Sequence, residues 1–267
     1  MTPTNHSPQY LFQAAVGRSG STILRRSIGM HPEIYYNGAE NNLIQDIAGV
    51  GHLNCTRKSR IDSMRVSQQV YDQSFRQLVC DLVWPDEQLR NRKVHFAAIN
   101  PGANELDYLC QIFPNAKFLC LVRNGLEVVC SRMKHQSFAG NEFRSQCQTW
   151  NRCIEMINWG GSNPDRFFLF RHEWTYDSQM VEKKLNELFQ WTGIPGSPAA
   201  VANITNVIDC LPTTQVPREY SKMDDSEKRT YFQEKADRCH DWSSAQRQQF
   251  TELCKPLMDH LGYAIPF

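Results

Sequence analysis

Apolar residues along the chain fall into two rhythms that take turns. Short, nearly unbroken runs stand at Tyr10-Leu-Phe-Gln-Ala-Ala-Val16, Val94-His-Phe-Ala-Ala-Ile99, Lys117-Phe-Leu-Cys-Leu-Val122 and Arg166-Phe-Phe-Leu-Phe170. Runs of this length and continuity predict strands buried on both faces. Between them, apolar positions return every three or four residues, as on one side of a helix. Ile23, Leu24 and Ile28 define a helix that Met30-His-Pro-Glu33 stops, because proline disfavours helical backbone in the residue before it. Further helices are predicted from about Ala39 through Leu43, Ile44 and Ile47 to the glycines at 49 and 51, and over 64–80 with Val66, Val70 and Leu78. Another follows Asn100-Pro-Gly through Leu106, Leu109 and Ile112. Leu126, Val129 and Met133 share the face of the next, and Asn141 to Asn158 continues in helical register. Val181, Leu185, Leu188 and Phe189 form the inner face of a helix over 177–192, with Gly193 as its C-cap. The last helix carries Phe250, Leu253, Leu257 and Leu261, ends at Gly262 and contains Pro256.

Strands alternating with helices predict an α/β fold, a central parallel sheet flanked by helices on both faces. One domain over 1–267 is expected, with a flexible N-terminus over 1–9. From 209 to 226 the pattern dissolves into Pro, Thr, Ser and Asp, which predicts a mobile loop.

Composition narrows the function classes. The 267 residues are 41% hydrophobic and 21% charged, as in ordinary globular proteins. Lys+Arg 29 against Asp+Glu 28 leaves a net charge of +1, so neither a nucleic-acid partner nor a membrane partner is expected. A local basic pocket is compatible with that balance. No apolar run approaches the roughly 18 residues of a membrane span, and the polar start up to Gln9 has no signal-peptide pattern. A cytoplasmic location is the expectation. Ten cysteines, at 55, 80, 110, 120, 130, 147, 153, 210, 239 and 254, include no Cys-x-x-Cys pair, and several lie inside apolar runs. They read as free buried thiols, not as a disulfide framework or a zinc site.

The first strand runs into Gly17-Arg-Ser-Gly-Ser-Thr22 and then into a helix. That arrangement suits an anion: the first-turn amides lack intrahelical acceptors and the helix dipole is positive there. Gly17 and Gly20 allow close backbone approach, Ser19, Ser21 and Thr22 bring hydroxyls, and Arg18 brings a planar cationic fork. A plain capped turn has the same residue types. A kinase or nucleoside triphosphatase would need a lysine after the second glycine. Gly20 is followed directly by Ser21, so the loop suits an anion whose chemistry needs no magnesium.

Val16-Gly-Arg-Ser-Gly-Ser-Thr-Ile-Leu24 with Met30-His-Pro32 resembles the 5′-phosphosulfate loop of sulfotransferases that use 3′-phosphoadenosine 5′-phosphosulfate (PAPS) and release the bisphosphate PAP. The stretch from Phe113 to Arg132, with a strand, Arg123 and then Ser131 eight residues on, resembles that family's 3′-phosphate motif. Phe170-Arg-His-Glu-Trp174, Trp191-Thr-Gly-Ile-Pro195 and Lys255-Pro-Leu-Met-Asp-His-Leu-Gly-Tyr263 are also family-like, and the blocks frame most of 10–263. The motifs stand nearest the protein-tyrosine-sulfotransferase-like branch. The resemblance implies a P-loop-like domain with PAPS as co-substrate and no metal. It places Gly17 to Thr22, Arg123, Ser131 and Arg238 around the nucleotide, Arg238 closing over the 3′ side. Read from the residues alone, Arg123 has a second option, an i, i+4 ion pair with Glu127 that leaves Ser131 in solvent.

For catalysis the resemblance puts the general base at Glu40, allowing a one-residue insertion after Asn37-Gly-Ala39, and Arg18 at the leaving phosphate. The lysine that many relatives carry in a Lys-Thr-Pro-like segment is absent from Ala98-Ile-Asn-Pro101. Arg18 or another side chain is expected to do its work. His95, within an apolar strand, is expected to be structural. Candidate walls for the acceptor are His52, Trp84, Phe138 and Trp150, with the 209–226 loop as a lid. The expected acceptor is a small-molecule hydroxyl or amine on a polar natural product; a peptide tyrosine is the alternative. A P-loop-type small-molecule kinase and a non-catalytic nucleotide-binding module are the rival classes.

Overall fold

The computed structural model describes residues 8–40, 42–56, 63, 65–99, 103–138, 140–210 and 241–267, with side chains for all of these except 39, 40, 42, 55, 56, 103, 104 and 206–210. Its strands are β1 (Gln9–Ala15), β2 (Ile34–Glu40), β3 (Val94–Ile99), β4 (Ala116–Val122) and β5 (Phe167–Arg171). The helices are α1 (Ser21–Gly29), α2 (Asn42–Thr56), α3 (Gln68–Val83), α4 (Ala103–Ile112), α5 (Gly125–Lys134), α6 (Phe143–Asn151), α7 (Cys153–Ser162), α8 (Ser178–Trp191), α9 (Pro198–Cys210) and α10 (Ser244–His260).

The strands form one sheet in the order β2-β3-β1-β4-β5, and every pairing is parallel. Side chains alternate across β1. Tyr10, Phe12 and Ala14 enter one core with Phe118, Trp84 and Trp150, under α2 to α7 and α10. Leu11 and Ala15 enter the other with Leu24, Leu121 and Leu185, under α1, α8 and α9. Cover on both faces explains why the central strands read as unbroken apolar runs. The expected inner face of α8, Val181, Leu185, Leu188 and Phe189, is buried in the second core, and Gly193 takes the positive φ of +77° expected of a helix C-cap.

Three stretches differ from the sequence expectation. Residues 34–40 form an edge strand where the helix was expected to begin near Ala39. The register between β2 and β3 shifts between Tyr36 and Glu40, and Gly38 sits at φ +83°. This irregularity breaks the alternation that marks a strand. Helix α9 was not anticipated. Its signal is Ser197-Pro198, where the Ser197 hydroxyl accepts from the Ala200 amide and proline occupies the first turn. The helical stretch 141–158 is interrupted at Arg152, which separates α6 from α7.

Among the described residues, Cys80, Cys110, Cys120, Cys130, Cys147, Cys153 and Cys254 are free thiols, buried or half-buried. No described helix is long and apolar enough to cross a membrane. Residues 211–240, which include Arg238 and most of the expected 209–226 loop, lie outside the described residues, as do 1–7.

Candidate functional site

β1 and β4 are adjacent and parallel, with Ala15 paired to Leu121. Their following loops therefore leave the same edge of the sheet about one strand spacing apart. This brings Gly17-Arg-Ser-Gly20 beside Arg123.

The first loop is a tight turn closed by the Ser19 amide, which donates to the Val16 carbonyl at 3.1 Å. Arg18 and Gly20 have φ of +80° and +88°, flanking Ser19. Alternation of this kind gathers successive amides into an anion-binding concavity. Gly20 admits no side chain, since a Cβ there would sit 2.3 Å from the His172 Nδ1. At the N-cap of α1 Gly20 supplies no side-chain acceptor, and the first turn contains no acidic residue. The Ser19 hydroxyl is buried without a protein partner. Uncapped amides, a positive helix end and an orphaned buried hydroxyl fit a phosphate or sulfate group. Thr22 accepts from Arg25 Nη2 at 3.1 Å, which leaves its own proton available to an anion.

The second cation comes from the other loop. Arg123 donates through Nε and Nη2 to Glu127 and through Nη1 to the Arg18 carbonyl at 3.4 Å. Arg18 Nε donates to Ser131 Oγ at 3.0 Å. Arg18, Arg123 and Ser131 thus form one cluster. The ion pair with Glu127 is made, and Ser131, half-buried, is engaged by Arg18. Burial lowers the pKa of Arg18, and the nearby charge of Arg123 lowers it further. For Arg123 burial also acts downward, but Tyr176, Glu127 and Glu173 outweigh it and the net shift is upward.

A layer of residues not identified from the sequence holds these groups in place. Arg132 donates to the Gly17 carbonyl at 3.4 Å and to Gln146, and its guanidinium stacks 3.9 Å from the Phe138 ring centre. Glu173 accepts from the Asn124 amide at 2.8 Å and from the Tyr263 hydroxyl at 2.8 Å. Burial raises the Glu173 pKa against those hydrogen bonds. His172, buried under Gly20, has its pKa pushed well below the usual histidine range, first by burial and then by the charge of Arg123. The sequence signals for this layer were the family-like blocks at Phe170 to Trp174, which holds His172 and Glu173, and at Lys255 to Tyr263. Arg132 offered none beyond standing next to Ser131.

The acceptor-wall candidates separate. Trp84 is fully buried and donates to the Phe96 carbonyl at 3.2 Å, so it is core and not an open wall. Trp150 is also fully buried; it donates to the Arg123 carbonyl at 3.1 Å and packs on Gly125, so its effect on the site passes through the backbone. His52 lies half-buried within α2, not in the turn expected after it. Phe138 is half-buried against the first loop, where a Cβ on Gly17 would sit 3.3 Å from its ring. His95 is structural as expected, buried among Tyr10, Tyr35 and Trp84 and 3.1 Å from the Arg90 carbonyl.

Glu40 is described in its backbone only. It ends β2 at the same edge of the sheet as both loops, level with Ala98 of β3, which is level with Gln13 of β1. Gln13 in turn donates to the Ser21 carbonyl at 3.3 Å. Glu40 therefore stands two strand spacings, about 10 Å, from Gln13, whose side chain spans the rest of the way to the start of α1.

Residues 11–198 match the family model described as the sulfotransferase family. Human protein-tyrosine sulfotransferase 1 is 32% identical over 159 residues, 55% of this chain and 41% of that protein. The Drosophila melanogaster protein-tyrosine sulfotransferase is 27% identical over 165 residues, 58% and 32% of the two chains. The chain thus spans less than half the length of these curated relatives. Among solved structures, the sulfotransferase domain from the curacin biosynthetic pathway superposes with a TM-score of 0.61 at 16% identity, covering 97% of this chain and 99% of that one. A mouse sulfotransferase complexed with PAP superposes with a TM-score of 0.50 at 12% identity over 94% and 84%.

Proposed function

This chain belongs to the sulfotransferase family, and from that premise we propose that it transfers the sulfuryl group of PAPS to a hydroxyl or amine of a small-molecule acceptor. The observation that carries the reading is the meeting of Arg18, Ser131 and Arg123 beside an uncapped helix start. One nucleotide with phosphate groups at both its 5′ and 3′ positions satisfies two cations so placed. A nucleoside triphosphate needs one extended phosphate cradle with a lysine.

Sulfuryl transfer, like loose phosphoryl transfer, asks for positioning and for stabilisation of charge. The acceptor oxygen or nitrogen bonds to sulfur as the bond from sulfur to the 5′-phosphate oxygen breaks, with the two in line. Glu40 takes the proton that the acceptor loses. Arg18, the amides that open α1 and the hydroxyls of Ser19, Ser21 and Thr22 meet the negative charge growing on the departing phosphate. Arg123 and Ser131 hold the 3′-phosphate, and Arg238 closes over it. Arg18 also stands in for the lysine missing from Ala98-Ile-Asn-Pro101.

A small acceptor draws support from likeness of fold along the whole chain to the curacin-pathway domain and to the sulfotransferase domain of a Synechococcus olefin synthase. The sequence relatives favour a second reading, sulfation of a peptide tyrosine. An acceptor screen with labelled PAPS decides between them. Label entering phenols, alcohols or amines of small metabolites supports the first reading; label entering only tyrosine peptides supports the second.

A further inference from the structure

Glu127 blocks the group expected to receive the 3′-phosphate. It lies one helical turn after Arg123, and a single carboxylate oxygen takes both Nε and Nη2 of the guanidinium. The third arm of the fork, Nη1, is given to the Arg18 carbonyl. Both side chains are largely shielded from water, at 18% exposure for Arg123 and 11% for Glu127. The pair is therefore weakly screened and strongly felt by its surroundings. Tyr176 leans its hydroxyl toward the same Glu127 oxygen at 3.5 Å, and Glu173 lies close enough to act on Arg123 as a second carboxylate. The charge of Arg123 is already matched before any anion arrives.

We infer that Glu127 is a built-in competitor for the 3′-phosphate, setting how tightly the bisphosphate nucleotide is held. An anion that binds Arg123 must share the fork with this carboxylate or draw the arginine away from it. In either case it suffers repulsion from a buried negative charge. The competition falls chiefly on the 3′ group, because Glu127 holds Arg123 directly, whereas the first turn of α1, at the 5′ group, carries no acidic residue. Its functional consequence is release. A sulfotransferase must shed PAP after every turnover, and product release limits many enzymes. Glu127 keeps the Arg123 site from becoming a product trap.

The inference rests on the reading of the cleft as a PAPS site, and the test keeps the two apart. Dissociation constants of PAP and of adenosine 5′-phosphate are measured by calorimetry for the full chain and for Glu127→Gln, with folding checked by thermal melting. The expected result is that Glu127→Gln binds PAP about tenfold tighter, equivalent to about 1.4 kcal/mol, while adenosine 5′-phosphate binding is unchanged. PAP is then also the stronger product inhibitor of the variant. Should Glu127→Gln fold poorly, Glu127→Asp keeps the charge but draws it back by one methylene, and it is expected to move the PAP to adenosine 5′-phosphate ratio the same way. Weaker or unchanged PAP binding in a folded variant overturns the inference and makes Glu127 a prop that orients Arg123. Failure of the unmodified chain to bind PAP overturns the donor-site reading, and the inference with it.

Discussion

Arg18 and Ser131, separated by 113 residues, meet through a 3.0 Å hydrogen bond that ties the loop after β1 to α5. Two sequence blocks that look independent are therefore one unit, with Arg123 reaching the Arg18 carbonyl from the other side. Removing either partner should disturb both phosphate positions. Arg18→Ala and Ser131→Ala are each expected to weaken PAP binding, with the arginine costing about 1.5–3 kcal/mol as a charged hydrogen-bond donor. The double variant should lose less than the sum of the two, because groups in direct contact are not additive. Calorimetric titration of the four proteins measures this coupling, and strict additivity would separate the two residues.

Gly20 is constrained twice, by a φ of +88° and by the imidazole of His172 beneath it. Gly20→Ala is expected to cost about 1–3 kcal/mol of stability from backbone strain, with a further steric term. Combining it with His172→Ala should recover only the steric part. Thermal melts of the single and double variants measure the split.

His172 also makes stability depend on pH. Its pKa is depressed in the folded chain below the ordinary value of 6.5, so the unfolded chain binds the extra proton first. The stability it contributes is present above that value and is lost as pH falls below it, by at most about 1.4 kcal/mol per pH unit. His172→Gln should flatten the decline of Tm between neutral and mildly acidic pH. An unchanged slope in a melting series would assign the acid sensitivity elsewhere.

Glu40 is assigned the proton transfer and no share in holding the nucleotide. Glu40→Gln is expected to keep PAP affinity within about twofold while kcat falls by roughly 10²–10⁴, the usual size of a general-base contribution. Parallel binding and turnover assays check it, and near-normal turnover would remove Glu40 from the mechanism.

The legibility of this protein followed how local each signal is. β1, β3 and β4 are buried on both faces, and their apolar runs announce them without any knowledge of the neighbours. The edge strand β2 hid behind the irregularity at Gly38, where alternation fails. At the site, the positions on the loops were readable because glycine, hydroxyl and arginine stand in a short span next to a helix start. The supports were not. Arg132 on Phe138 and Gly17, or Tyr263 on Glu173, are contacts made only by folding, between residues whose types are unremarkable in sequence. Trp84 and Trp150 show the converse, since a large aromatic suits a cleft wall and a core equally well until its burial is known.

The most direct test of the two-cation cleft is calorimetric titration with PAP in the presence of EDTA, set against adenosine 5′-phosphate and against ATP with magnesium. The account predicts that PAP binds without metal and more tightly than adenosine 5′-phosphate. It also predicts that Arg123→Ala removes that preference while leaving the 5′ contact in place. Binding of magnesium-ATP with no heat from PAP would contradict it.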